Sequence, residues 1–172
     1  QIEVVKEIRS RFHEEIASFY NIFSPISYLK RWFRTDQSRG DQVMADFIKE
    51  DPETLAHVLD VIAGDIAILS RRLIQEAGVE GIYFSTQQVQ DERVTDEEYR
   101  KIIEPSNIAV LEAANEAGGI NILHICGYEG ARNDIHLFTD YPAQVINWAV
   151  GPEGISLAEG REIFGGRTVL GG

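Results

Sequence analysis

His124 and Cys126, in the stretch Asn121-Ile122-Leu123-His124-Ile125-Cys126-Gly127, are the side chains with the clearest reactive potential. The run is apolar and reads as a buried strand. On an extended strand, residues i and i+2 point to one side. An imidazole and a thiol then face one region, with α-carbons roughly 6.5–7 Å apart from the rise per residue. Both groups are zinc ligands, at about 2.0–2.3 Å from the metal. H-x-C is a short motif, and two donors do not complete a site. The alternative is a core cysteine beside a hydrogen-bonded histidine.

Polar groups recur where other strands end. Ser24 follows a strand over 17–23. Ser85, Thr86 and Gln87 close the strand Gly81-Ile82-Tyr83-Phe84-Ser85-Thr86, and Asn147 and Trp148 lie near the end of a strand over 143–150. In parallel α/β folds, functional groups gather beyond the carboxyl ends of strands. Ser85, Thr86, Asn147 and Trp148 are therefore candidate substrate contacts, although Tyr83, Phe84 and Trp148 also suit a core or barrel wall. Arg31, Arg34 and Arg39 either bind carboxylates or solvate a loop. His13 and His57 lie on helical stretches and read as surface groups, and His136 reads as exposed. Glu97 and Glu98 serve a helix start.

The elements that position these groups alternate. Ile2, Val5, Ile8 and Phe12 predict a helix over 2–15. The stretch from Tyr28 to Phe33 is ambiguous, Thr35 to Gly40 reads as polar loop, and Val43 to Lys49 as a short helix. Asp51-Pro52-Glu53 opens a long helix with a stripe of Leu55, Val58, Leu59, Ile62, Ile66, Leu69 and Leu73, closed at Gly78. Thr95 and Glu98 form a capping box, and the helix that follows is expected to kink or break at Pro105. A second helical run over 106–117 ends at Gly118-Gly119. After the His124 strand comes an irregular connection over 128–142, then the Asn147 strand. Ser156 and Glu159 form a second capping box, and a last strand runs from Arg167 to Leu170. Five short apolar strands alternating with helices imply a parallel sheet covered on both faces. Two architectures compete: a doubly wound open sheet and part of a (β/α)8 barrel. No glycine fingerprint for phosphate follows any strand, which disfavours the dinucleotide-binding form.

The composition bounds the function. The chain has 172 residues, 44% hydrophobic and 26% charged, as in a soluble single domain. A net charge of −12 argues against a nucleic-acid partner. No apolar run is long enough to span a membrane, and no signal peptide opens the sequence. The one cysteine excludes an intramolecular disulfide and fits a cytoplasmic setting. The only methionine is Met44, the chain opens within a helical pattern, and it closes on a strand. It therefore reads as an internal segment, truncated at both ends. Made alone, such a segment is expected to be weakly stable or to self-associate.

Beyond these readings the sequence resembles a known family. Gly81-Ile82-Tyr83-Phe84-Ser85-Thr86-Gln87, the His124–Cys126 stretch, Tyr141-Pro142-Ala143-Gln144-Val145-Ile146-Asn147-Trp148, Gly151-Pro152-Glu153-Gly154-Ile155-Ser156-Leu157-Ala158-Glu159-Gly160-Arg161 and Gly166-Arg167-Thr168-Val169-Leu170-Gly171 are similar to the uroporphyrinogen decarboxylase superfamily. The resemblance implies a partial (β/α)8 TIM barrel of five β/α units, about strands three to seven.

One branch implied by it contains corrinoid-dependent methyltransferases, whose zinc is held by H-x-C and a distant cysteine. In that branch His124 and Cys126 would bind zinc, the further cysteine would follow Gly172, and Asn147 or Glu153 would support the site. A methylcorrinoid would be the methyl donor and a small thiol the acceptor, with a corrinoid protein docked over the barrel face and a homodimer possible. The other branch, the decarboxylases, converts uroporphyrinogen III to coproporphyrinogen III without cofactor. There the substrate is a tetrapyrrole, Thr86 or Ser85 would contact it, and Tyr28 or Arg31 lies near the place of a substrate tyrosine. The Asp-Trp usual on the sixth strand is Asn147-Trp148 here. A non-catalytic ligand-binding relative is the third reading.

Overall fold

The computed structural model describes residues 1–12, 16–33, 37–128 and 130–171. The described residues run α1 (Ile2–Arg9), β1 (Phe19–Phe23), α2 (Pro25–Phe33), α3 (Gln37–Glu50), α4 (Pro52–Gln75) and β2 (Gly81–Thr86). A short α5 (Asp96–Glu98) leads through a π-helical segment, Tyr99–Ile103, into α6 (Glu104–Glu116). Then follow β3 (Ile122–Ile125), a 3-10 turn (Ile135–Phe138), β4 (Val145–Trp148), α7 (Val150–Glu153), α8 (Leu157–Ile163) and β5 (Thr168–Gly171).

The five strands form one parallel sheet in the order β1-β2-β3-β4-β5. A doubly wound sheet reverses its strand order at a switch point. Strictly sequential order is the arrangement of a (β/α)8 barrel, so the sheet corresponds to part of one. Pairing aligns Phe23, Ser85, His124, Asn147 and Leu170 in a single row across all five strands. Because side chains alternate along a strand, the rows on either side face the helices. One holds Ile22, Phe84, Leu123 and Ile146, and the other Thr86, Ile125 and Trp148; all seven are buried. Against this face pack α4 and α6, which also pack on each other.

Local chemistry explains most boundaries. Asp51 caps α4 by accepting from Thr54 N at 3.1 Å, with Pro52 next in line. Gly78, at φ 73°, turns the chain out of α4 into β2. Thr95 with Glu98, and Ser156 with Glu159, form reciprocal capping boxes.

Three expectations are corrected. The helix predicted over 2–15 is α1, ending at Arg9; His13 lies outside the described residues. The loop predicted over 35–40 is helical from Gln37. Tertiary contact outweighs the weak propensity there: a Cβ at Gly40 would lie 2.8 Å from Lys30 O, so glycine permits the close approach of α3 to α2. An ion pair between Lys30 and Asp41, 2.5 Å long and almost wholly buried, ties the same two helices. Finally, Pro105 does not break its helix. Glu104 N bonds to Tyr99 O, five residues back, and this widened turn makes room for a proline ring within a continuous helical rod. Among the described residues, no helix is long and apolar enough to cross a membrane.

Candidate metal centre

His124 belongs to the cross-sheet row that faces away from the helices. Cys126 lies one residue past the end of β3, but its N–H bonds to Thr86 O at 2.8 Å. That bond carries the parallel ladder one step further, so the alternation persists and the thiol stays on the face of His124. Both residues are half-buried.

The imidazole is held from two sides. Its Nδ1 lies 2.5 Å from Asn147 Oδ1, which also accepts from the Tyr83 hydroxyl at 2.6 Å. The Tyr83 ring stacks on the imidazole with centroids 5.1 Å apart and planes 28° apart. Asn147 Nδ2 in turn donates to Leu170 O at 3.1 Å. Burial lowers the His124 pKa, opposed by the bond to Asn147. Burial likewise raises the Cys126 pKa, with Lys30 opposing and Glu153 adding to the rise. Desolvation thus favours the neutral form of both.

Behind Cys126 the chain is clamped. Asn133 Nδ2 donates to Cys126 O at 3.2 Å and to Glu153 Oε1 at 2.7 Å, while Asn133 N donates to Glu153 Oε2 at 2.8 Å. Asn133 Oδ1 accepts from Gln88 N at 2.8 Å, which joins this clamp to the exit of β2. Gly127 lies against the Glu153 carboxylate so closely that any Cβ there would overlap it.

Cys126 also lines a cavity of about 160 Å³ with Ser85, Gln87 and Tyr128 from the strand ends and Ser27, Lys30 and Arg31 from α2. The Arg31 guanidinium sits 4.5 Å over the Phe23 ring. The cavity thus combines a thiol, hydroxyls, the Lys30–Asp41 ion pair and the Arg31 guanidinium.

The structure brings Ser85 and Asn147 to the face of His124 and Cys126. It places Thr86 and Trp148 on the opposite face. Thr86 is buried in the helix layer, 3.5 Å from Asn107 Nδ2. Trp148 is buried against Gly160 and Phe164 and donates from Nε1 to Ile155 O at 2.9 Å. Tyr28 packs edge-on against Phe23, outside the cavity. His57 and His136 are exposed, and Arg39 lies in a separate surface groove. Arg34 lies outside the described residues. Tyr83, assigned to the core or wall from sequence, lies on the face of His124 and stacks on its ring. Its position two before Ser85 carried that signal, because the alternation puts both on one face.

The donor set suits zinc in kind. A neutral imidazole engaged at Nδ1 leaves Nε2 for a metal, and a thiol lies on the same face. Among the described residues, no group of three or more His, Cys, Asp or Glu could hold a metal. His124 and Cys126 alone are two donors and do not complete a metal site.

The sequence model of the family described as Uroporphyrinogen decarboxylase (URO-D) matches residues 1–172. The chain belongs to this family. A comparison with curated proteins found no significant match. The uroporphyrinogen decarboxylase family is built on the TIM barrel, with which the sequential parallel sheet is compatible.

Proposed function

We propose that this chain forms part of a zinc-dependent methyltransferase that moves a methyl group from a methylated corrinoid to a small thiol. The observation that carries the reading is the His124–Cys126 pair on one face of β3 with His124 Nδ1 already engaged by Asn147. His124 Nε2 and Cys126 Sγ would hold the metal, with at least one more donor from outside the described residues. Zinc, when bound, lowers the pKa of a thiol and so supplies a thiolate near neutral pH. Cys126 must itself lose its proton to ligate, so metal uptake releases a proton. The cavity beside Cys126 would receive the substrate, with Ser85 and Tyr128 as hydrogen-bonding groups and Arg31 as a cation. A corrinoid protein would dock over the carboxyl ends of the strands, where this cavity opens.

The test is the metal content of the purified full-length protein, with Cys126→Ser beside it. About one zinc per chain, lost in the variant, is expected for a site of this kind. Methyl transfer from a methylcorrinoid to small thiols then reads the activity. Absence of zinc from the wild type sinks the reading. One observation favours a second: Arg31 beside Ser85 would suit a substrate carboxylate, as in a porphyrinogen decarboxylase. A zinc-free protein that releases carbon dioxide from uroporphyrinogen would establish it.

A further inference from the structure

Asn147 occupies a position where its two ends face different kinds of partner. Its amide lies between Leu170 O on β5 and the imidazole of His124 on β3. A backbone carbonyl only accepts hydrogen bonds. The group facing Leu170 must therefore be the NH2, which turns Oδ1 toward His124 and the Tyr83 hydroxyl. Oδ1 only accepts as well, so the His124 nitrogen facing it must carry the proton. The Tyr83 hydroxyl, 2.6 Å away, fills the second lone pair of the same oxygen.

We infer that Asn147, oriented by the Leu170 carbonyl and buttressed by Tyr83, fixes His124 as the Nδ1–H tautomer and presents Nε2 as a bare lone pair. Asn147 and Tyr83 are thus positioning residues. The direction of the lone pair is decided by a carbonyl two strands away, through a row that the sheet register aligns. An imidazole without such a partner distributes its proton between both nitrogens, and the Nε2–H form cannot ligate through Nε2. Stacking by Tyr83 also limits rotation of the ring. The consequence for metal binding rests on the zinc reading above; the tautomer does not.

The experiment is nitrogen and carbon NMR of His124 in the metal-free full-length protein, at a pH where the ring is neutral. The wild type is expected to show a protonated Nδ1 and a bare Nε2. Asn147→Leu is expected to give a mixture or the Nε2–H form, and Asn147→Ser, whose hydroxyl is too short to reach the ring, serves if that variant does not fold. Tyr83→Phe should keep the tautomer, because Leu170 still orients the amide. A wild-type Nε2–H form, or a Leu or Ser variant with an unchanged tautomer, would overturn the inference. So would a tautomer lost in Tyr83→Phe. Zinc titration is the second arm: Asn147→Leu should bind roughly 10–100-fold more weakly, as for lost partners of metal-bound histidines. A wild type with the Nδ1–H form and no zinc affinity would refute the zinc reading and leave the role of Asn147 standing.

Discussion

Trp148 and Asn147 are neighbours in sequence with opposite assignments, and the contact between Trp148 and Gly160 allows a sharp test. The indole is wholly buried, and a Cβ at Gly160 would overlap its ring. Trp148→Ala should cost about 3–5 kcal/mol, as for other large-to-small core changes. That is a large part of the roughly 5–15 kcal/mol by which a domain is stable. Gly160→Ala sets two effects against each other. Overpacking against a rigid ring costs about 1–3 kcal/mol, while alanine in place of a helical glycine gains about 0.5–1 kcal/mol. The single variant should therefore be net destabilised. With Trp148→Ala the overlap disappears, and Gly160→Ala should become stabilising by the propensity alone. The coupling between the two sites is then about 1–3 kcal/mol, within the range for residues in contact. Urea unfolding of the full-length protein, followed by far-UV circular dichroism, measures all four corners of the cycle, and zinc binding is read in parallel. Equal cost of Gly160→Ala in both backgrounds would refute the placement of the ring. So would a Trp148→Phe protein of unchanged stability that no longer bound metal or substrate.

The remaining predictions concern capping, ionisation and the clamp behind Cys126. Thr95→Ala should cost about 1 kcal/mol by loss of the cap to α5, read as a lower urea midpoint. Bonds from Lys49 and from the Thr95 backbone hold Glu98 at a pKa of about 2, below its ordinary 4.5. Its stabilisation is therefore present above pH 4.5 and lost as pH falls toward 2, and Glu98→Gln should flatten that part of the acid profile. Burial raises the pKa of Tyr99 and of Tyr141, whose hydroxyls lie 2.9 Å apart. The unfolded chain releases these protons near pH 10 and the folded one holds them, so stability should fall above pH 10. An ultraviolet titration should show both rings ionising only on unfolding. Glu153→Gln turns an NH2 toward one of the two Asn133 donors, an expected cost of about 1–3 kcal/mol. Faster proteolysis at 127–134 and weaker zinc binding would be its signs, and unchanged values for both would count against the clamp.

What was legible in the sequence is what short-range physics controls. The capping boxes at Thr95 and Ser156, the turns at Gly78 and Gly118, and the bounds of β2 depend on residues within a few positions of one another. The common face of His124 and Cys126 follows from strand alternation alone. So did five alternating β/α units, from the periodicity of apolar residues.

Which face of each strand lies inward was settled by tertiary structure, because a shift of one residue moves every side chain to the other side of the sheet. Register put Asn147 beside His124 and turned Thr86 and Trp148 into the helix layer. Long-range packing also drew Lys30 to Asp41 and started α3 before Gly40, while Pro105 passes through a widened turn rather than a break. The bond from Asn147 to Leu170 joins strands whose paired residues are 23 positions apart. No local pattern encodes that contact, since only the ladder of parallel strands brings the two groups within reach.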